Sequence, residues 1–449
     1  MIRGTVVAGG QRLENGWIAI EDGRIAAIGK DAAPAAAEID DHGPALILPG
    51  VIDGQTHATS YRGLPGIAET TRSAVAGGVT TLVDMPYDNP LPLDRAERFE
   101  AKAAAIAEHA HADMALYGTV TAETGTENIA ALIEAGVAAF KISSFESSPT
   151  RFPRISAALT LDVLQVLAGS GLPLGLHNED QEIVLDRMAR ARADGLDGIV
   201  GHAISRPEAA ELAATAAFHA LGFGTRSHTH AVHLTSGRGF ALTESFARLP
   251  MKATGELCVH YLWFDAERDG ARLGARMKVN PPIRPGAIDG LWQAIEVGQV
   301  AFISSDHSSW PIDNKLTVSI FDAGAGVPGI ETLLPAFHTA ATRRGHDGAA
   351  LSAQYLSAFP ARFFGINDRK GAIAERLDAD IVVLEEGAFT WDEAAAHDGL
   401  NWSPFHGETF DVRVAATYLR GAPAWDGNAI CNTAGSGRYT PRRTAGWYA

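Results

Sequence analysis

Cysteine is nearly absent. Only Cys258 and Cys431 occur among 449 residues, too few for a disulfide framework, so nothing in the sequence asks for an oxidising compartment. Long apolar runs are missing as well: none approaches the roughly 20 residues that span a bilayer, and no membrane partner is expected. The opening MIRGTVVAGGQ has no apolar core behind its single Arg and does not read as a signal peptide. Positive charge is also short, with 37 Lys and Arg against 53 Asp and Glu, a formal net charge of −16. Such a chain repels a phosphate backbone, which excludes nucleic acid as a partner. Internal repeats and low-complexity tracts are lacking. What is present is ordinary: 46% hydrophobic and 20% charged residues, the usage of a soluble globular protein, with the cytoplasm as the expected location. At about 150 residues per domain the length alone suggests roughly three domains, although an α/β barrel often takes 200–250 residues as one unit.

The N-terminal stretch reads as short strands. Thr5–Val7 is followed by Trp17–Glu21 and Ile25–Ile28 around the Asp22-Gly23 pair, a hairpin signal. Ala45–Ile52 is apolar on consecutive positions, as a strand buried on both faces is, with Pro49-Gly50 interrupting it. Strands and helices then alternate. The expected strands are Leu46–Asp53, Val79–Met85, Met114–Val120, Ala138–Ile142, Leu172–Leu176, His228–Leu234, Lys252–Val259 and Val300–Ser304. Eight such units are what a closed (β/α)₈ TIM barrel needs. An open doubly wound sheet would usually carry a Gly-rich phosphate loop after its first strand, and none is present. Past about residue 370 the pattern returns to strands, Asp380–Leu384 and Val412–Tyr418. These are expected to pair with the N-terminal ones. The chain therefore divides into residues 1–47 and 371–449, which form a small β-sandwich domain from both termini, and a barrel over 48–370.

Active sites of such barrels lie at the C-terminal ends of the strands. Strand one leaves through Asp53-Gly54-Gln55-Thr56-His57, strand four carries Lys141 in AAFKIS, strand five ends at His177, strand six at His233 and strand eight at Asp306. Any one of these alone would most often be a hydrogen-bonded core residue. Five converging on one barrel mouth amount to metal-ligand chemistry suited to Zn²⁺ and similar ions.

The order D-x-x-x-H, F-K, L-H-x-E, V-H-L-T-S and S-D-H resembles the amidohydrolase superfamily in its cyclic amidohydrolase branch, the dihydroorotases, hydantoinases (dihydropyrimidinases) and allantoinases. GGVTTLVDMP (Gly77–Pro86), SRPEAAE (Ser205–Glu211), ELCVHYLWF (Glu256–Phe264), KVNPPIR (Lys278–Arg284) and Ala361–Leu384 are similar to further segments of that branch, and the HYL segment leans towards its allantoinase-like members. The resemblance covers essentially the whole chain. It implies a hydrolase of carbon–nitrogen bonds other than peptide bonds, opening a small cyclic amide, ureide or imide with metal-activated water, in a homo-oligomer (dimer or tetramer). It implies one or two divalent ions, Zn²⁺ before Mn²⁺, and a Lys141 carboxylated by CO₂ to a bridging carbamate. An apolar strand favours the neutral amine which that reaction requires. By the same resemblance His177 and His233 hold the more exposed ion, His57 and Asp306 hold the inner one, and Asp306 shuttles the proton.

One position departs. Members of the branch usually have D-x-H-x-H on strand one, and here the first ligand position is Gln55, whose neutral amide oxygen is a weaker donor than imidazole. Three arrangements follow: two ions with Gln55 as a poor or absent ligand, a single ion on Lys141, His177 and His233, or a non-catalytic binding relative. The joint presence of Lys141, His57, His177, His233 and Asp306 argues against the last. A related hydrolysis, of a lactam or an acyclic N-carbamoyl compound at a single ion, is the other alternative. The Arg that dihydroorotases place just after the strand-one histidines is missing, and so is the Tyr that hydantoinases place after the strand-four Lys, where Ile142–Glu146 reads ISSFE. Candidate substrate contacts are Asn280, Ser308, Arg62 and Glu146; His260 and His307 are expected in supporting roles.

Overall fold

The computed structural model describes residues 1–448. Its first four strands, β1 (Ile2–Ala8), β2 (Gln11–Glu21), β3 (Arg24–Lys30) and β4 (Asp40–Pro49), lie in one sheet. The next eight follow one another in parallel register around a curled sheet: β5 (Val51–His57), β6 (Val79–Asp84), β7 (Asp113–Gly118), β8 (Ala139–Ser143), β9 (Pro173–His177), β10 (His228–Ala231), β11 (Lys252–Cys258) and β12 (Val300–Ser304). Two further residues, β13 (His307–Ser308), pair with β5 through His307 opposite Thr56 and Ser308 opposite His57, so the last strand returns to the first. The expected (β/α)₈ barrel is present. No helix among the described residues is long and apolar enough to cross a membrane.

Three strands near the C-terminus, β14 (Ile381–Thr390), β15 (Thr409–Leu419) and β16 (Ala422–Trp425), complete a seven-stranded sheet in the order β16-β15-β14-β4-β1-β2-β3. The junction is antiparallel, with Ile381 to Leu384 opposite Pro49 to Leu46. This is the β domain built from both termini. Its alternation is hidden in the sequence because both faces are apolar. Leu46, Leu48, Val382 and Leu384 face the barrel core, whereas Ala45, Ile47, Ile381 and Val383 face the sheet's own core with Ile2, Val6, Ile18 and Tyr418.

One expected strand needs correction. Leu46–Asp53 is not a single barrel strand: Leu46–Pro49 ends β4, and the barrel starts at Val51. The break falls at Gly50, whose N–H reaches the Asp380 carbonyl at 2.8 Å and where a Cβ would collide with Thr80. An apolar run that changes sheets looks continuous until the Pro-Gly punctuation is weighed.

Barrel and terminal sheet are clamped by charge. Asp113 starts β7, and Asp378 and Asp380 precede β14; their carboxylates lie close enough together to suggest a cation site. The Lys370 ammonium occupies that place, 2.6 Å from Asp113 and 3.1 Å from Asp378, and it also bonds Asp380, while Arg420 donates to both oxygens of Asp113. Burial pushes the Asp113 carboxyl up, but Lys370 and Arg420 outweigh it and hold it below the usual range. Lys370→Met should leave three buried carboxylates with only the guanidiniums of Arg420, on Asp113, and Arg369, 3.5 Å from Asp378. Removing one partner of a buried pair costs about 3–5 kcal/mol. Calorimetry should then show unfolding lowered by roughly 3–5 °C in a chain of this length; a shift below about 1 °C would mean that water replaces the ammonium there.

Candidate active site

Lys141 sits at the middle of β8. Its neighbours Phe140 and Ile142 point outward into the helix-packed core, which by strand alternation sends the Lys141 side chain into the barrel. There it is buried, 3.7 Å from Met85 Sδ and 5.9 Å from the centre of the Tyr87 ring, and among the described residues no carboxylate lies within ion-pair distance. Burial lowers its pKa to about 8, with Asp306 and Glu256 pulling the other way.

His177 ends β9, and His233 follows β10 in a left-handed conformation (φ 42°) that a non-glycine residue rarely adopts. Asp180 and Ser236, a few residues on, cap the helices Gln181–Ala193 and Gly237–Ala247 by accepting from Ile183 and Gly239 N–H groups, which ends each strand sharply at its polar residue. His177 Nδ1 and His233 Nε2 face one another at 2.9 Å. Burial pushes both imidazoles down, so both are neutral at pH 7. His177 is oriented through Nε2 by Glu179 at 3.0 Å, and Arg206 anchors that carboxylate in turn. Burial alone would raise Glu179, yet Arg206 and His177 bring it to about 2.

Asp306 lies just beyond β12, also left-handed (φ 49°). Its Oδ1 accepts from Gln55 Nε2 at 2.8 Å and stands 3.3 Å from His57 Nε2, and His57 Nδ1 meets Ser60 Oγ at 2.9 Å. Burial raises the Asp306 carboxyl, but the His57 hydrogen bond and the charges of His57, His233 and Lys141 hold it well below the carboxylate range. Asp53, the first residue of the strand-one motif, is structural: its Oδ1 accepts from Ser305 N at 2.9 Å, which ties strand one to strand eight. Burial raises it to about 7.

The structure thus brings together Gln55, His57, Lys141, His177, His233 and Asp306 at the floor of one cavity of about 390 Å³. Asn280 and Ser308 line its wall, Asn280 Oδ1 being buried without a partner among the described residues. Glu146 lies on the wall at an exposed position. Arg62 does not join them: its guanidinium is paired with Glu69, and it is not a wall residue. His307 supports the loop beyond β13, accepting from Gly329 N at 3.2 Å.

Other wall residues escaped the sequence reading. Tyr87 follows β6, and Arg151 and Phe152 come from the loop after β8, with Phe152 packed edge-on against His177. Beneath Lys141 the barrel interior holds a polar column. His228 Nε2 and His230 Nδ1 share Thr254 Oγ1 at 2.7 and 2.8 Å, and His230 Nε2 reaches Glu256 at 3.4 Å. Burial pushes the Glu256 carboxyl far up and the His228 and His230 rings far down, so the column is uncharged. These residues sit within strands rather than at their exits; alternation towards the barrel interior was the available signal.

A profile of the amidohydrolase family matches residues 46–423. An allantoinase from Rubrobacter xylanophilus is 36% identical over 99% of this chain and 97% of its own length, and one from Solibacter usitatus is 33% identical over 99% and 98%. Among solved structures, the L-hydantoinase (dihydropyrimidinase) of Arthrobacter aurescens superposes with a TM-score of 0.93 at 25% identity, covering 98% of this chain and 99% of that one. The chain belongs to the amidohydrolase family, in its branch of metal-dependent cyclic amide hydrolases.

Proposed function

We propose that this protein opens the ring of a five-membered cyclic ureide of the allantoin and hydantoin kind, using one divalent ion held by Lys141 as its carbamate, His177 and His233. Residues 50–370 are the hydrolase unit in this reading, supported by the β domain of residues 1–49 and 371–448, the boundary moved from residue 48 to Gly50 by the end of β4. The donor set fits an ion. Two neutral imidazole nitrogens face each other at 2.9 Å, and beside them stands a buried amine with no carboxylate partner, whose conversion to a carbamate would add anionic oxygens. Zn²⁺ suits such nitrogen and oxygen donors, with Mn²⁺ next. The observation that favours one ion over two is the pattern around Asp306: Gln55 donates to its Oδ1, and the His57 nitrogen stands against the same atom. Both strand-one positions are thereby engaged with the carboxylate.

When bound, the ion supplies Lewis acidity, polarising the ring carbonyl and lowering the pKa of water. The remaining work falls to the chain. Asp306, ionised at neutral pH, accepts a proton from the attacking water, and as a weak base it releases it readily to the leaving ring nitrogen. Gln55 and His57 fix the carboxylate's orientation, as Glu179 fixes His177. Asn280 and Ser308 offer the wall's polar contacts to the ring, and Phe152 covers His177 from the water side.

The test is elemental analysis joined to turnover. Protein purified without chelator should carry about one equivalent of divalent ion and should open allantoin or a 5-substituted hydantoin. Gln55→His should raise the content towards two. Two equivalents in the natural protein would overturn the single-ion arrangement, and less than about a tenth, with no gain in bicarbonate, would overturn the hydrolase mechanism.

A further inference from the structure

The chain carries a net charge of −16, yet besides Lys141 three basic side chains line its cavity: Arg151, Arg206 and Lys278. Two are already satisfied. Arg206 is paired with Glu179, and Lys278 Nζ donates to the Ile320 and Ala323 carbonyls. Arg151 differs, because among the described residues no carboxylate lies within ion-pair distance of it and the one protein partner of its guanidinium is the Ser60 carbonyl, reached through Nη1. Its Nε and Nη2 make no protein hydrogen bond and are not sealed from the cavity. A guanidinium has five N–H donors in a rigid fork, the geometry that matches a carboxylate, and here most of that fork is idle. It is also half-buried, so part of its hydration is lost, and the one carboxylate whose charge reaches it, Asp88, is already paired with Lys102.

The placement of Arg151 is fixed. Phe152 O accepts from Ser147 N at 3.1 Å and Ser148 N at 3.2 Å, and Phe152 N donates to Ser148 O at 2.9 Å, folding the segment into a tight loop. Phe152 packs against His177, and Arg151 is anchored on the carbonyl of Ser60, whose hydroxyl meets His57 Nδ1, so the guanidinium lines the cavity beside the reacting centre. That is where a substituent on the ring would lie. The other charges on this loop, Glu146 and Arg154, are exposed and therefore screened by water.

We propose that Arg151 is a subsite for an anionic substituent, so that the preferred substrate is a cyclic ureide bearing a carboxylate-terminated side chain on the ring carbon. This rests on the ring-opening reading above. The probes are hydantoin-5-acetate and its neutral isostere hydantoin-5-acetamide. The natural enzyme should favour the acetate in kcat/KM, mainly through KM, and Arg151→Gln should lower the acetate-to-acetamide ratio by about tenfold to a hundredfold, the range for a charge-assisted hydrogen bond. Arg151→Lys should recover part of it. A ratio that stays within about twofold in Arg151→Gln, or a natural enzyme without preference for the acetate, overturns the subsite. Calorimetric binding of the open-chain N-carbamoylaspartate against N-carbamoylasparagine separates this from a failure of the ring-opening reading. If neither ring is opened, discrimination that depends on Arg151 still supports the subsite, and its absence overturns it.

Discussion

Replacing Lys141 by alanine is expected to lower kcat/KM at least about a thousandfold and to strip the protein of divalent ion, with the fold intact. The fold should survive because among the described residues Lys141 makes no ion pair and no side-chain hydrogen bond beyond the 3.7 Å contact with Met85 Sδ, so its removal orphans no buried partner there. The ion should be lost because two neutral imidazoles are a poor set without an anionic oxygen. Carboxylation supplies that oxygen by joining Nζ to the carbon of CO₂ with release of one proton. Only the neutral amine reacts. Burial brings Lys141 to about 8, so about a tenth of it is neutral at pH 7, against roughly 0.03% for an ordinary lysine. Neutral amine accumulates as pH rises, so at fixed dissolved CO₂ the carboxylation of metal-free protein should speed up through pH 8 and then level. Labelling with ¹³CO₂ and carbon NMR would follow the carbamate directly. A short carboxylate such as propionate should enter the space left in the alanine variant and restore part of the metal content. If that variant keeps its ion and its rate, Lys141 is no ligand.

The strand-exit residues were legible in the sequence for a physical reason. A buried strand reads as an unbroken apolar run, so a His, Lys or Asp at its end stands out, and the barrel rule places those ends together. Lys141, His177, His233 and Asp306 were found this way. Residues on loops were less legible. Arg62 looked like a substrate contact by its distance from His57 along the chain, but the turn after strand one directs it to Glu69. Arg151 and Phe152 gave no signal, since the path of the Ser147–Phe152 loop over His177 is set by tertiary packing. The polar column of His228, His230 and Glu256 was masked differently. Within a strand, such residues resemble the solvent side of an alternating pattern, and only barrel closure turns that side inward.

Asp306→Asn should separate proton transfer from ion binding. The substitution is mild for the backbone, because Asn accepts the left-handed conformation (φ 49°) that Asp306 adopts about as readily as Asp, whereas Ala would not. An amide oxygen can still receive the Gln55 N–H, so the local hydrogen bond survives. What disappears is the basic oxygen. General acid–base catalysis contributes about 10²–10⁴ in rate, and kcat should fall by about 10³ with KM changed less than about threefold. With a single ion on Lys141, His177 and His233, the metal content should stay near one equivalent in the variant. If Asp306 instead held a second ion, the content would fall together with the rate, and excess metal in the assay would recover part of both. Elemental analysis and kcat on the same preparation therefore decide whether this aspartate is base alone or base and ligand. A kcat within tenfold of the natural enzyme would remove Asp306 from the proton path and leave Glu179 as the carboxylate nearest His177 to examine next.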